Sequence, residues 1–354
     1  MSLILYEKYP QLKRAVPSLS LCDLPTPLVR MERLGKAIGH DNLWIKRDDL
    51  TSPLYGGNKI RKLDFIFAEA ARRKVKAVAT AGAYGSHHVL ATSLHGKDLG
   101  LDVGAVLYEV PKSRHLDENQ GFIDKNVSWK TVLKSPLLVP CGYGLWIKKC
   151  LDRGYRRKDL MVIPPGGSSA LGCLGYVNAA LEIEDQREKL GAPPFDHVFT
   201  ALGTCGTYGG LALGFRLAGA PTRVTGVQVA ASLVSNSAVA WWVMFRTLRI
   251  LKANGCLGVP GKPAPSLEFP AGISGRYLGR GYATWGREEE DVAALLRETE
   301  GIKLDTIYTA KAMRAFIDRA GRRGEKNRKL LFVLTYGSGR KTVAGRDTRK
   351  QDLC

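Results

Sequence analysis

The stretch Tyr55-Gly56-Gly57-Asn58-Lys59-Ile60-Arg61-Lys62-Leu63 places a lysine directly after a Gly-Gly-Asn turn, at the mouth of a helix-forming run over 62–73. A lysine there feels the positive end of the helix dipole, which favours its neutral amine. The neutral amine is the form that attacks a carbonyl, so Lys59 is suited to Schiff-base chemistry. The glycines permit positive φ and let the backbone come close to a ligand. The same residues also read as an ordinary turn carrying one solvated lysine. The choice between the two readings depends on what else the chain offers.

A second constellation supplies the context. Gly203, Thr204, Cys205, Gly206 and Thr207 lie between a strand-like run over 197–201 and a helix-like run over 208–218. Glycines expose backbone N–H groups, threonine hydroxyls add donors, and a helix N-terminus favours an anion. The loop lacks the Gly-Lys-Ser/Thr ending of a nucleotide triphosphate site, and its glycine spacing is not that of a dinucleotide fingerprint. A monophosphate fits it better, although a tight packing turn would look the same in isolation. A helix-start lysine together with a monophosphate cradle points to pyridoxal 5′-phosphate.

The elements around these residues repeat as strand, glycine-rich turn and helix. Runs over 76–80, 102–108, 161–164, 197–201, 223–230 and 329–335 are short and nearly continuously apolar. Helical runs over 86–99, 176–189 and 208–218 alternate with them. The pattern predicts an α/β protein with two open, twisted, mostly parallel sheets flanked by helices. Ligands in such folds collect at the carboxyl ends of strands, which is where the glycine turns fall. The segments 111–125 and 252–276 read as loops near a site.

With the motifs in place, a resemblance becomes visible. Leu24 to Leu28, Trp44 to Leu50 and Gly56 to Leu63 resemble the N-terminal signature of the D-cysteine desulfhydrase and 1-aminocyclopropane-1-carboxylate (ACC) deaminase family, within the fold-type II pyridoxal-phosphate enzymes. The likeness continues in order through Gly85 to His88, Pro165 to Gly172, Gly203 to Thr207 and Leu304 to Met313. It implies that Lys59 carries the cofactor, with Asn58 beside it. It implies that Ser86 contacts the substrate and assists proton transfer, and that Gly203 to Thr207 bind the phosphate. Tyr282 and Tyr308 match two active-site tyrosines, and Thr335 matches a threonine near the pyridine nitrogen. The helix start over Ser86, His87 and His88 would receive the substrate carboxylate. The expected division is a large cofactor-binding domain, 1–68 plus 167–354, and a small domain, 69–166. A homodimer is also implied.

Three departures from the family pattern stand out. His87 occupies the place of an asparagine that contacts the cofactor's phenolic oxygen; an imidazole there can still donate one hydrogen bond but is bulkier and titrates near neutrality. Thr309 stands where ACC deaminases carry a glutamate, which favours a desulfhydrase-like lyase releasing a 2-oxo acid and ammonia from a small amino acid. The tail 340–354 is polar and basic where the family closes with an apolar helix. β-Replacement or racemisation on the same frame is the alternative enzyme class. A chain that binds cofactor or polyanions without turnover is the alternative outside catalysis.

Composition bounds these readings. The chain has 354 residues, 45% hydrophobic and 24% charged, enough for two domains with a sizeable core. No apolar run approaches the roughly 18 residues that span a bilayer. The N-terminus lacks the basic and apolar regions of a signal peptide, so a cytoplasmic location is expected. The seven cysteines are scattered without a CxxC pair, as free thiols in a reducing compartment would be, and no metal site is expected. A net charge of +20 raises nucleic acid as a partner, but the basic residues are spread out without interleaved aromatics, which argues against it.

Overall fold

The computed structural model describes residues 2–111, 113–256, 269–279, 281 and 284–336. Two short helices, α1 (Ile4–Lys8) and α2 (Pro10–Ala15), precede β1 (Leu28–Arg30), α3 (Glu32–Ile38) and β2 (Leu43–Lys46). Helix α4 (Asn58–Arg72) leads into β3 (Ala77–Ala83), α5 (His87–Asp98), β4 (Asp102–Tyr108), α6 (Arg114–Asn126), β5 (Trp129–Leu133), α7 (Val139–Asp152) and β6 (Leu160–Ile163). Then follow α8 (Ala170–Lys189), β7 (His197–Leu202), α9 (Gly206–Leu217), β8 (Arg223–Gln228), α10 (Ser237–Ala253), β9 (Ile273–Ser274), α11 (Arg287–Glu300), α12 (Thr309–Ala320) and β10 (Leu330–Val333).

The strands form two sheets. One is six-stranded in the order β1-β2-β10-β7-β8-β9, and the other four-stranded in the order β5-β4-β3-β6. Among the described residues only the β1–β2 pair is antiparallel; the remaining ladders are parallel. Parallel strands are covered on both faces, which is why β3 and β10 are buried along their whole length. The expected α/β architecture is therefore present, and all four strands of the smaller sheet fall between residues 77 and 163. Among the described residues, no helix is long and apolar enough to cross a membrane.

One expected loop is largely a helix. The segment read as a loop over 111–125 contains α6, started by Ser113, whose hydroxyl accepts from the Leu116 N–H. Leu116 and Ile123 bury one face of it, and that contact outweighs the polar composition that argues for a loop. The strands β1, β2 and β5 were not anticipated either; β5 alternates intermediate and exposed positions at a sheet edge. Much of the other expected loop, 252–276, lies outside the described residues, as do Tyr282 and the basic tail.

A buried polar network fixes α4, the helix that carries Lys59. Arg61 donates to Asp48 at 2.7 and 3.0 Å and to both carboxylate oxygens of Glu182 at 3.0 Å. Lys46 on β2 donates to the same Glu182 at 2.5 Å, and the Tyr176 hydroxyl to Asp48 at 2.7 Å. Sheet, α4 and α8 are thus pinned together. Helices α4 and α8 also cross closely at Gly175, where a Cβ would sit 2.0 Å from the Arg61 carbonyl oxygen.

Candidate active site

The carboxyl ends of β3, β7 and β10 open onto a cavity of about 380 Å³ lined by Lys59, Ser86, Gly203 to Cys205, Thr207, Tyr308 and Thr335. The structure therefore gathers the sequence-assigned residues that it describes, as the strand-end rule anticipates. Lys59 is the second residue of α4. The turn before it needs glycine: Gly57 has φ of 101°, and a Cβ there would lie 2.7 Å from the Thr335 carbonyl oxygen. That oxygen accepts from the Asn58 N–H at 2.8 Å, tying the lysine turn to the end of β10.

Lys59 keeps part of its surface open to the cavity, yet the protein around its ammonium pushes it down to about 7. Burial is the largest cause, the neighbouring Lys62 adds to it, and Asp305 opposes it. The helix start acts in the same direction, but burial carries the shift. The Lys59 Nζ donates to Asn58 Oδ1 at 2.7 Å, and Asn58 Nδ2 donates to Thr207 Oγ1 at 2.9 Å. One asparagine therefore sets the distance between the lysine and the loop at 203–207.

That loop has the form of an anion cradle. Cys205 holds a left-handed conformation at the N-terminus of α9, with its thiol turned to the carbonyls of Val234 and Asn236. The Gly206 N–H donates to Ser168 Oγ at 3.1 Å, and Ser168 and Thr204 share a 2.7 Å hydroxyl contact. Lys62 points into the same corner, 3.2 Å from the Gly166 carbonyl oxygen and 3.4 Å from Ser168 Oγ. Burial pushes its ammonium down to about 8, with the Cys173 and Cys205 thiols opposing. An anion held in the cradle would favour the charged form. Sequence reasoning passed over Lys62, although its spacing of three from Lys59 on one helix was the signal.

The remaining residues fall around the cavity. Ser86 precedes α5, and its hydroxyl lies so close to β3 that a Cβ at Gly82 would meet it at 2.6 Å. His88 is buried; Thr80 donates its own hydrogen to the Ile163 carbonyl, so His88 Nε2 is the donor in their 2.8 Å contact. His87 lines the cavity but directs Nδ1 to the Tyr55 hydroxyl and Nε2 to His115, with Tyr336 packed 4.4 Å from its ring. Tyr308 meets the His87 ring edge-on. Thr309 is fully buried, and its hydroxyl donates to Asp305 at 2.5 Å rather than facing the cavity. Tyr55 and His115 were also missed, His115 because its helix was read as a loop.

A lysine lowered to about 7, a glycine and threonine loop at a helix N-terminus and Lys62 in the same corner fit pyridoxal 5′-phosphate, and comparison with known proteins agrees. The family described as "Pyridoxal-phosphate dependent enzyme" matches residues 19–335. The chain belongs to that family. As a pyridoxal-phosphate-dependent enzyme it is 34% identical over 332 residues to the D-cysteine desulfhydrase of Klebsiella pneumoniae, covering 91% of this chain and 94% of that one. A solved structure of an ACC deaminase homologue matches with a TM-score of 0.78 and 29% identity, over 96% of each chain. Threonine deaminase isoform 2 of Solanum lycopersicum, at 15% identity and a TM-score of 0.61, shares the fold over 94% of this chain and 84% of its own. This pyridoxal-phosphate enzyme is accordingly a lyase or deaminase of the ACC deaminase and D-cysteine desulfhydrase type.

Proposed function

We propose that the enzyme eliminates the β-substituent of a small amino acid, releasing a 2-oxo acid and ammonia, with D-cysteine preferred over ACC. The observation that carries the preference is Thr309, which places no carboxylate where ACC deaminases carry a glutamate and whose hydroxyl is committed to Asp305. Bound pyridoxal phosphate supplies a carbonyl carbon for the amino group and a ring that acidifies the Cα hydrogen. The loop 203–207 and Lys62 would hold its phosphate, Lys59 its carbonyl carbon, and Thr335 the edge near its nitrogen.

The chain's own groups do the rest. Lys59, whose amine is about half neutral at pH 7 and mostly neutral above it, would take the Cα proton. The first N–H groups of α5, with Ser86, receive the substrate carboxylate. The Tyr308 hydroxyl gives its proton to the departing group. Tyr282 is proposed as its companion from the sequence alone. His87 and His88 shape the wall behind the carboxylate. The strand content of 69–166 supports the proposed small domain. The six described cysteines are free thiols, which supports a cytoplasmic location, and the homodimer is proposed from the family resemblance alone.

The test compares D-cysteine and ACC as substrates, scored by 2-oxo acid release. Turnover of D-cysteine with little from ACC is expected, and Lys59→Ala abolishes it. ACC turnover exceeding that of D-cysteine overturns the preference.

A further inference from the structure

Three polar side chains form a continuous line through the wall of the cavity. Tyr55 lines the cavity that contains Lys59, and its hydroxyl is hydrogen-bonded to His87 Nδ1. His87 Nε2 lies 3.3 Å from His115 Nε2. His115 in turn lines a second cavity, of about 800 Å³, bordered also by Glu118, Asp305 and Trp285. Tyr336 borders both cavities and packs against both imidazoles, so the wall between them is thin here.

The line has a direction. Asn119 Nδ2 donates to the Gly85 carbonyl at 3.1 Å, which fixes the orientation of the amide. The same Nδ2 lies 3.3 Å from His87 Nδ1. An amide nitrogen only donates, so Nδ1 carries a lone pair, and the Tyr55 hydroxyl also donates to it. Neutral His87 then carries its hydrogen on Nε2 and donates to His115, whose own hydrogen sits on Nδ1. From the inside outward each group donates to the next.

We propose that Tyr55, His87 and His115 conduct a proton from the Lys59 cavity to the second cavity. The proposal rests on the reading of the site as one that takes an amino acid. An amino acid arrives as an ammonium and must lose a proton before its nitrogen can attack a carbonyl carbon. The ammonium N–H bond breaks and its proton bonds to the Tyr55 oxygen. The Tyr55 hydrogen passes to His87 Nδ1, the His87 Nε2 hydrogen to His115 Nε2, and the His115 Nδ1 hydrogen to water in the second cavity. One proton leaves, no charge stays behind, and both rings hold the opposite tautomer. The reverse passage, when ammonia leaves as ammonium, restores them. Burial holds the Tyr55 hydroxyl well above its usual range, so it stays neutral between transfers. Asp305 and Glu118 are the carboxylates facing His115 and Tyr336, and Asp305 also faces Lys59 across the wall.

Two measurements test it. Ring ¹⁵N shifts of the purified protein at neutral pH read the tautomers: His87 protonated at Nε2 and His115 at Nδ1 are expected, and the opposite form on either ring overturns the direction. In the loaded enzyme, Tyr55→Phe and His115→Gln each lower kcat/KM about a hundredfold near pH 7. The loss shrinks as pH rises past the substrate ammonium pKa, while the Lys59-dependent absorbance band is unchanged. A loss of equal size at every pH, or none, overturns the conduit and leaves the lyase reading intact. Failure of that reading shows instead as no 2-oxo acid from the unsubstituted enzyme, with the tautomers still decisive for the conduit.

Discussion

Lys59 shows how much of a catalytic residue is chosen by its neighbours. Burial and Lys62 bring its amine down to about 7, so the neutral form dominates above that pH. The rate at which the cofactor-free protein takes up pyridoxal phosphate is therefore expected to rise with pH through about 7 and then level off. Rapid-mixing absorbance reads this directly, and a rise continuing towards the ordinary lysine range near 10.5 would contradict it. Lys59 was legible because Gly57 and Asn58 announce a turn into a helix. The loop at 203–207 was legible from glycine next to hydroxyl at a strand end, whereas Ser86 was marked only through the family resemblance. Tyr55, His87 and His115 were not legible as a unit. Their contact depends on where α6 docks, and no local pattern encodes that.

At the scale of elements, the fold was readable where a strand is buried on both faces. The run at 102–108 coincides with β4, and 197–201 with all but the last residue of β7. Edges were harder: β1 is short and β5 has no fully buried residue, so neither carries a continuous apolar signal. The role of Arg61 was hidden too, because a charged residue in a helix reads as solvated until its partners at Asp48 and Glu182 are seen. Removing it leaves two carboxylates buried with fewer donors. Arg61→Leu is expected to lower stability by about 3 to 5 kcal/mol. Urea unfolding checks this; a change within 1 kcal/mol, about the size expected for an exposed pair, would show that the network does not anchor α4.

At the scale of the whole molecule, two sheets meet around one cavity, and the buried charges that hold the larger one give stability an acid limb. Burial pushes the Glu182 carboxyl up, but Arg61 and Lys46, with their hydrogen bonds, outweigh it and hold the group at about 2, below its ordinary 4.5. A depressed folded-state value stabilises above the unfolded value and is lost as pH falls through the folded one, so about 3 kcal/mol disappears between pH 4.5 and 2. Asp64, raised to about 6 chiefly by burial, acts in the opposite sense at higher pH. Glu182→Gln, which cannot titrate, is expected to flatten the acid limb in urea unfolding; an unchanged slope would contradict the assignment. The net charge of +20 left no nucleic-acid signature in the sequence, and the basic tail lies outside the described residues. Every proposed step depends on one covalent attachment, at Lys59. Borohydride reduction of the loaded protein, followed by intact mass and peptide mapping, is predicted to show one cofactor per chain on Lys59. Attachment at Lys62 instead, or no attachment at all, would contradict it.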